Sequence, residues 1–210
     1  MGRIYCIMGK SASGKDTICN KIITEYPEIK SIILYTTRPK RNDEIHGKQY
    51  YFINMEKLLE FEKEGKVIEK RVYNTIYGEW VYATIDDGQI DLKDRDYILI
   101  GTIDSYKNLI EYFGRKNVIP IYIDLDPGIR LTRALEREKL QSNPGYAELC
   151  RRFLADEADF SPERLEQVGI DEVYENNELE KCFKKIKKVL QSTKDPYNKY
   201  NLIYKAFRKM

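Results

Sequence analysis

The apolar segment RIYCIM, Arg3 to Met8, runs directly into GKSASGKDT, Gly9 to Thr17, and that loop opens KDTICNKIITEY. No other stretch limits the fold as strongly. A short apolar run bounded by a turn signal reads as a buried strand. Ile18, Ile22 and Ile23 fall on one helical face, and Pro27 ends the helix. Strand, tight loop and helix in this order open a βαβ unit, which builds a parallel sheet. Within the loop, Gly9 and Gly14 stand five apart and Lys15 follows. Glycine permits positive φ, so successive backbone N–H groups turn inward and cradle phosphate oxygens. The helix start adds partial positive charge, and Lys15 reaches the outer phosphates. The strict pattern ends in Ser or Thr, and here Asp16 stands in that place. Its carboxylate is the candidate Mg²⁺ ligand, directly or through water, with the Thr17 hydroxyl beside it. The plainer alternative is a strand-to-helix turn in which Asp16 only complements the helix dipole.

Further apolar runs supply core strands at Tyr97 to Ile100 and Val118 to Ile123. Asp126-Pro127 is an N-cap and first-turn pair for a helix running to about Lys139. From Leu179, apolar residues recur at Cys182, Phe183, Ile186, Val189 and Leu190, an amphipathic helix. Between about Ile33 and Asp91 the texture changes to short alternating segments with many tyrosines. That stretch predicts an inserted, mostly β subdomain with one helix built on Met55, Leu58, Leu59 and Glu62 and closed by Gly65. With 36 Lys and Arg against 34 Asp and Glu, the net charge of +2 points to neither a nucleic acid nor a membrane surface as partner. No apolar run reaches membrane-spanning length, and MGRIYCIMGK is too soon interrupted by glycine for a signal peptide. Cys6, Cys19, Cys150 and Cys182 form no CxxC pair and read as reduced, buried structural thiols of a cytoplasmic protein.

TTRPKRNDEIHGKQYYF, Thr36 to Phe52, sets Arg38 and Arg41 three apart beside a proline, with Tyr50 nine further on. Two guanidinium forks and a phenol suit a dianionic phosphate. Alone they describe a solvated surface as well; one strand after a phosphate loop they describe an acceptor site. Here the chain resembles the guanylate kinase family, whose pattern TTR-x-x-R-x-x-E-x-x-G-x-x-Y is met at Thr36, Thr37, Arg38, Arg41, Glu44, Gly47 and Tyr50. The resemblance runs from Arg3 to about Leu190. It implies an α/β P-loop kinase: a central parallel sheet flanked by helices (about 1–32, 92–127 and 170–192), a β-rich subdomain binding the nucleoside monophosphate (about 33–91) and a helical lid (about 128–169). Residues 193–210 form a C-terminal extension, with Tyr197, Tyr200 and Tyr204 among basic residues.

Carried over by position, Arg38, Arg41, Tyr50 and Tyr77 are the expected ligands of the GMP phosphate, and Glu69 in VIE pairs with guanine. Glu79 stands where the family has a Ser or Thr for O6, Leu34 replaces another family serine, and Thr102 falls where a second Asp is usual. ATP is expected on Gly9, Ser11, Ala12, Ser13, Gly14, Lys15, Asp16 and Thr17, with Arg133 and Asn176 near the adenine. Arg130, Arg133 and Arg137 share a helical face by spacing, and Arg151 and Arg152 follow on the next helix. By resemblance Arg137 and Arg152 are the lid arginines, catalytic together with Lys15 and Arg38. The implied reaction moves the γ-phosphoryl group of ATP to GMP, and to dGMP, with Mg²⁺, in a monomer or homodimer. Two other readings stay open. One is a kinase of the same fold acting on another nucleoside monophosphate or a ribose phosphate. The other is a non-catalytic module binding phosphopeptide.

Overall fold

The structure is a computed structural model and describes residues 1–41, 44–75 and 78–192. In chain order the elements are β1 (Ile4–Met8), α1 (Lys15–Glu25), β2 (Lys30–Ser31), β3 (Tyr35–Thr36), β4 (Tyr51–Phe52), α2 (Met55–Lys63), β5 (Val67–Thr75), β6 (Gly78–Ile85) and β7 (Tyr97–Ile100). They continue with α3 (Ile103–Phe113), a 3₁₀ turn (Arg115–Asn117), β8 (Val118–Asp124), α4 (Pro127–Lys139), α5 (Tyr146–Asp159), α6 (Pro162–Gln167), β9 (Val173–Glu175) and α7 (Leu179–Ser192).

β1 is apolar at every position because it lies in the middle of a parallel sheet of order β2-β7-β1-β8-β9, with a neighbour on each side and helices on both faces. Its side chains alternate between two cores. Ile4, Cys6 and Met8 pack with Tyr106 and Leu109 of α3 and with Phe160 and Val168 on either side of α6. Tyr5 and Ile7 pack with Ile18 and Ile22 of α1 and Phe183 and Ile186 of α7. Each such buried Ile or Leu contributes about 1.5–3 kcal/mol. The helices expected after Asp126 and from Leu179 are α4 and α7, and Asp126 caps α4 by accepting from Ile129 N at 3.0 Å.

A second sheet of order β4-β3-β6-β5 is antiparallel except for the β3–β4 pair, and α2 covers a small core of Tyr35, Leu58, Val81, Ala83 and Ile85. The central parallel sheet with a second, β-rich sheet is the expected α/β architecture. Details differ from the sequence reading. In α2 only Leu58 is buried; Met55 and Leu59 face solvent, because a nine-residue helix on a sheet this narrow buries a single ridge. Cys6, Cys19 and Cys182 are buried as expected, but Cys150 is exposed on the outer face of α5. Burial pushes the Cys6 and Cys19 thiols up to about 12, with smaller contributions from nearby carboxylates. Among the described residues no helix is long and apolar enough to cross a membrane.

Candidate active site

The loop between β1 and α1 requires glycine at both of its pattern positions. A Cβ on Gly9 would lie 2.4 Å from the Ile123 carbonyl oxygen, and one on Gly14, at φ +87, would lie 2.3 Å from Asn176 Nδ2. Asn176 follows β9 and donates that amide to the Ser13 carbonyl at 2.7 Å, so the far edge of the sheet clasps the loop. Ala12 sits at φ 61, a left-handed conformation that a residue with a Cβ adopts at about 1–2 kcal/mol of strain. Ser13 Oγ is buried without a hydrogen-bond partner. At the start of α1 the Lys15 side chain is 19% exposed and its ammonium stands 4.0 Å from the Asp16 carboxylate, which projects into solvent at 76% exposure. Thr17 is exposed beside it.

The helices after β8 close over this loop. Arg137 of α4 and Arg152 of α5 line a narrow cleft with Ser11 and Phe153, so two arginines that the sequence paired only by resemblance face the phosphate loop. Arg133 is exposed on α4. The expectation that Arg130 shares the arginine face is corrected: Arg130 is fully buried, stacks at 4.8 Å on Phe153 and donates from Nη2 to Glu157 Oε1 at 2.6 Å. Charge, not helical spacing, turned it inward. Glu157 also accepts from Lys10 Nζ at 2.6 Å, and the neighbouring Asp156 accepts from Ser11 N at 2.6 Å. A carboxylate of α5 therefore already sits on a backbone donor of the loop. Burial alone would raise the Glu157 carboxyl, but hydrogen bonds and charge from Lys10 and Arg130 outweigh it and the net shift is downward.

The second sheet carries Arg38, which the sequence assigns to the acceptor phosphate. The paired threonines before Arg38 act as struts. Thr36 Oγ1 donates to the Val81 carbonyl at 2.9 Å and accepts from Arg38 N at 3.2 Å, while Thr37 Oγ1 accepts from Val81 N at 2.9 Å. They hold β3 against β6 and fix the backbone at Arg38. The Arg38 guanidinium, only 4% exposed, closes on Glu44 as a fork, Nη1 to Oε2 at 2.9 Å and Nη2 to Oε1 at 2.6 Å. Its Nε donates to Tyr82 Oη at 3.1 Å, and Tyr50 and Phe52 lie against its plane at 5.5 and 5.4 Å. The Arg38 fork, with help from Arg41 N, holds the Glu44 carboxyl at about 2, well below the ordinary carboxylate range. The Arg41 side chain is exposed.

Glu69 of β5 is buried, 2% exposed, and accepts from Thr84 Oγ1 at 2.9 Å and from Ser105 Oγ at 3.4 Å. Thr102 caps α3 and shares a hydrogen bond with Ser105 Oγ, so it stands one residue removed from Glu69. Glu79 is exposed on β6, and Leu34 is buried in the apolar core. Tyr77 lies outside the described residues. Sequence reasoning quoted Glu44 without giving it a role and passed over Lys10, Arg71, Asp156 and Glu157. The Lys10–Glu157 contact joins residues 147 apart in sequence, so no local spacing signals it.

The family model described as Guanylate kinase matches residues 1–193. Relatives bearing that name include proteins of Symbiobacterium thermophilum, 29% identical over 92% of this chain and 86% of the relative, and of Clostridioides difficile, 26% identical over 99% and 96%. A Geobacter metallireducens guanylate kinase is 38% identical, but the matched segment is 37% of this chain and 38% of the relative. The match to the Nitratidesulfovibrio vulgaris protein spans 42% of its length. Among solved structures, the guanylate kinase from Anaplasma phagocytophilum aligns with a TM-score of 0.65 at 19% identity, covering 94% of this chain and 89% of that one, a likeness of fold. The phosphate loop, the TTR segment and the whole-length match converge, and the chain belongs to the guanylate kinase family.

Proposed function

We propose that the chain transfers the γ-phosphoryl group of ATP to the phosphate of GMP, and of dGMP, giving ADP and the nucleoside diphosphate. The observation that carries this reading is on the second sheet. One surface joins a guanidinium fork, Arg38, to a buried carboxylate, Glu69. The fork now holds the Glu44 carboxylate, and the same two-N–H geometry suits a phosphate dianion that takes that place. The carboxylate suits the adjacent N1–H and amino donors of guanine, a pair that adenine lacks, and a buried carboxylate left unmatched discriminates strongly.

The phosphate loop takes the triphosphate. Its backbone N–H groups and Lys15 hold the outer phosphates, Ser13 Oγ is a buried group still in need of a partner, and the triphosphate displaces Asp156 from Ser11 N. Arg133 and Asn176 are assigned to the adenine, and Asn176 also steadies the loop by donating to the Ser13 carbonyl. The acceptor phosphate is already anionic, so its oxygen attacks in line without a general base. Lys15, Arg38, Arg137 and Arg152 spread the charge of the transferring group, and the rate comes from alignment and fixed positive charge. Arg41, Tyr50 and Tyr77 complete the acceptor phosphate site, and Thr102 supports Glu69 through Ser105. Closure of α4 and α5 excludes water, which would otherwise hydrolyse ATP.

The start of α1 fits Mg²⁺. The ion keeps most of its waters and takes phosphate oxygens with one or two protein carboxylates, and Asp16 presents one such group next to the Thr17 hydroxyl. When bound it would neutralise charge on the phosphates. The reducing cytoplasm suits the buried thiols.

A coupled assay with ATP and a panel of GMP, dGMP, AMP, CMP, UMP and ribose phosphates tests the reading. GMP should be the best acceptor, dGMP should serve, and AMP should be poor. Glu69→Ala should damage GMP use far more than Glu79→Thr. Better turnover of AMP or a pyrimidine nucleotide than of GMP would sink the guanine assignment.

A further inference from the structure

Arg71 lies inside the acceptor surface without a task in the scheme above, and the inference about it rests on the acceptor reading. In the β5–β6 ladder Glu69 pairs with Thr84 and Arg71 with Tyr82, so Glu69 and Arg71 lie two apart on one strand and face the same way. The Arg71 side chain is 17% exposed and that of Glu69 is fully buried. Their approach is loose. Arg71 Nε stands 3.3 Å from Glu69 Oε2 without the alignment of a hydrogen bond, and Nη2 donates to Oε1 over a long 3.4 Å. A charge-assisted contact ordinarily closes to about 2.7–2.9 Å, as Arg38 and Glu44 do on the same sheet at 2.6 and 2.9 Å. Thr84 and Ser105 spend their protons on Glu69. Arg71 is thus a desolvated fork beside a carboxylate, with N–H groups not firmly committed.

We propose that Arg71 is a specificity-determining residue that donates to the keto oxygen O6 of an oxopurine acceptor whose N1–H and amino group are held by Glu69. The chemistry of the two partners favours an exchange. The H–N1–C2–N–H edge of guanine has the same shape and donor pattern as one edge of a guanidinium. It therefore takes the Glu69 oxygens that Arg71 now borders. Shifted aside, the guanidinium stays next to N1, and O6 is the atom bonded to the neighbouring ring carbon. The cation also stays close to the carboxylate, so neither charge is left buried alone. An adenine base meets two mismatches here. Its N1 lone pair faces a carboxylate, and its 6-amino group faces a guanidinium that can only donate.

The test compares GMP with 6-thio-GMP, which keeps N1–H and the amino group but replaces O6 with a weakly accepting sulfur. Values of kcat/KM are measured for the full-length wild type, Arg71→Met and Arg71→Lys. The wild type should favour GMP by at least about tenfold, the effect of a hydrogen bond from a charged donor. Arg71→Met should erase most of that preference by lowering GMP use while changing 6-thio-GMP little, and Arg71→Lys should fall between. Equal losses on both substrates, with the ratio unchanged, would make Arg71 a structural group and overturn the proposal. Circular dichroism establishes that each variant folds. If Arg71→Met does not fold, the other two proteins decide: a wild type indifferent to the sulfur, or an Arg71→Lys ratio equal to wild type, overturns the proposal. A wild type that phosphorylates no guanine nucleotide overturns the proposed function itself. Failure of the Arg71 proposal alone leaves GMP turnover by the wild type intact.

Discussion

Replacing Glu157 and replacing Arg130 should move stability in opposite directions, although the two side chains form one ion pair. Arg130 is fully buried, its Nη2 meets Glu157 at 2.6 Å, and its Nε and Nη1 have no hydrogen-bond partner. Glu157→Ala therefore leaves a buried guanidinium with no carboxylate, only the Phe153 ring against its face. Removing one partner of a buried pair costs about 3–5 kcal/mol, and the figure here is lowered to about 2–3 kcal/mol because water reaches the vacated place. That access follows from the 41% exposure of the Glu157 side chain. For a domain of this length Tm moves by about 2–4 °C per kcal/mol, so the midpoint should fall by about 4–12 °C. Arg130→Met removes the desolvated charge and keeps an unbranched chain against Phe153, while Glu157 keeps Lys10. Its effect should range from neutral to about 2 kcal/mol stabilising. Thermal and urea unfolding followed by circular dichroism measures both. If Arg130→Met destabilises as much as Glu157→Ala, the pair holds the fold by attraction and the desolvation argument fails.

Glu44 should make the protein acid-sensitive in a defined window. The hydrogen bonds from Arg38 bring its carboxyl from an ordinary 4.5 down to about 2, so its contribution is fully present above about pH 4.5 and is lost as pH falls through about 2. Glu44→Gln should flatten that part of the pH–stability curve, and an unchanged curve would remove Glu44 as its source. Lys15→Ala should lower phosphoryl transfer by at least about a hundredfold, since a preorganised charge on the transferring group is lost, and circular dichroism separates that loss from unfolding. Near-normal turnover would exclude the phosphate-loop mechanism.

The parts of the fold legible in the sequence were those written in a short window. β1, its loop and α1 are coded by twenty-two consecutive residues, Ile4 to Glu25, and α4 and α7 announce themselves through a cap and a clean 3.6-residue period. Family membership was legible because TTR and its companions cluster within fifteen residues. What stayed hidden depends on partners far away in sequence. Arg130 looks like its neighbours Arg133 and Arg137 until Glu157 appears opposite it. Arg71 looks like any polar residue of an alternating strand until β6 and α3 enclose Glu69. The two-residue strands β2, β3 and β4 are too short for a period to show.

The attachment of α5 to the phosphate loop has a consequence for how the molecule breathes. Leu131, Leu135, Leu140, Tyr146 and Leu154 of this region are all exposed, and α5 buries only Leu149. Apolar packing therefore does little to keep the helix down, and the contacts of Asp156 with Ser11 N and of Glu157 with Lys10 supply much of its hold. Partly exposed ionic ties weaken with added electrolyte, whereas a hydrophobic core does not. Ionic strength thus becomes a selective handle. Raising sodium chloride should speed amide hydrogen exchange along α5 while the amides of β1 and β8, enclosed by two apolar layers, keep their protection.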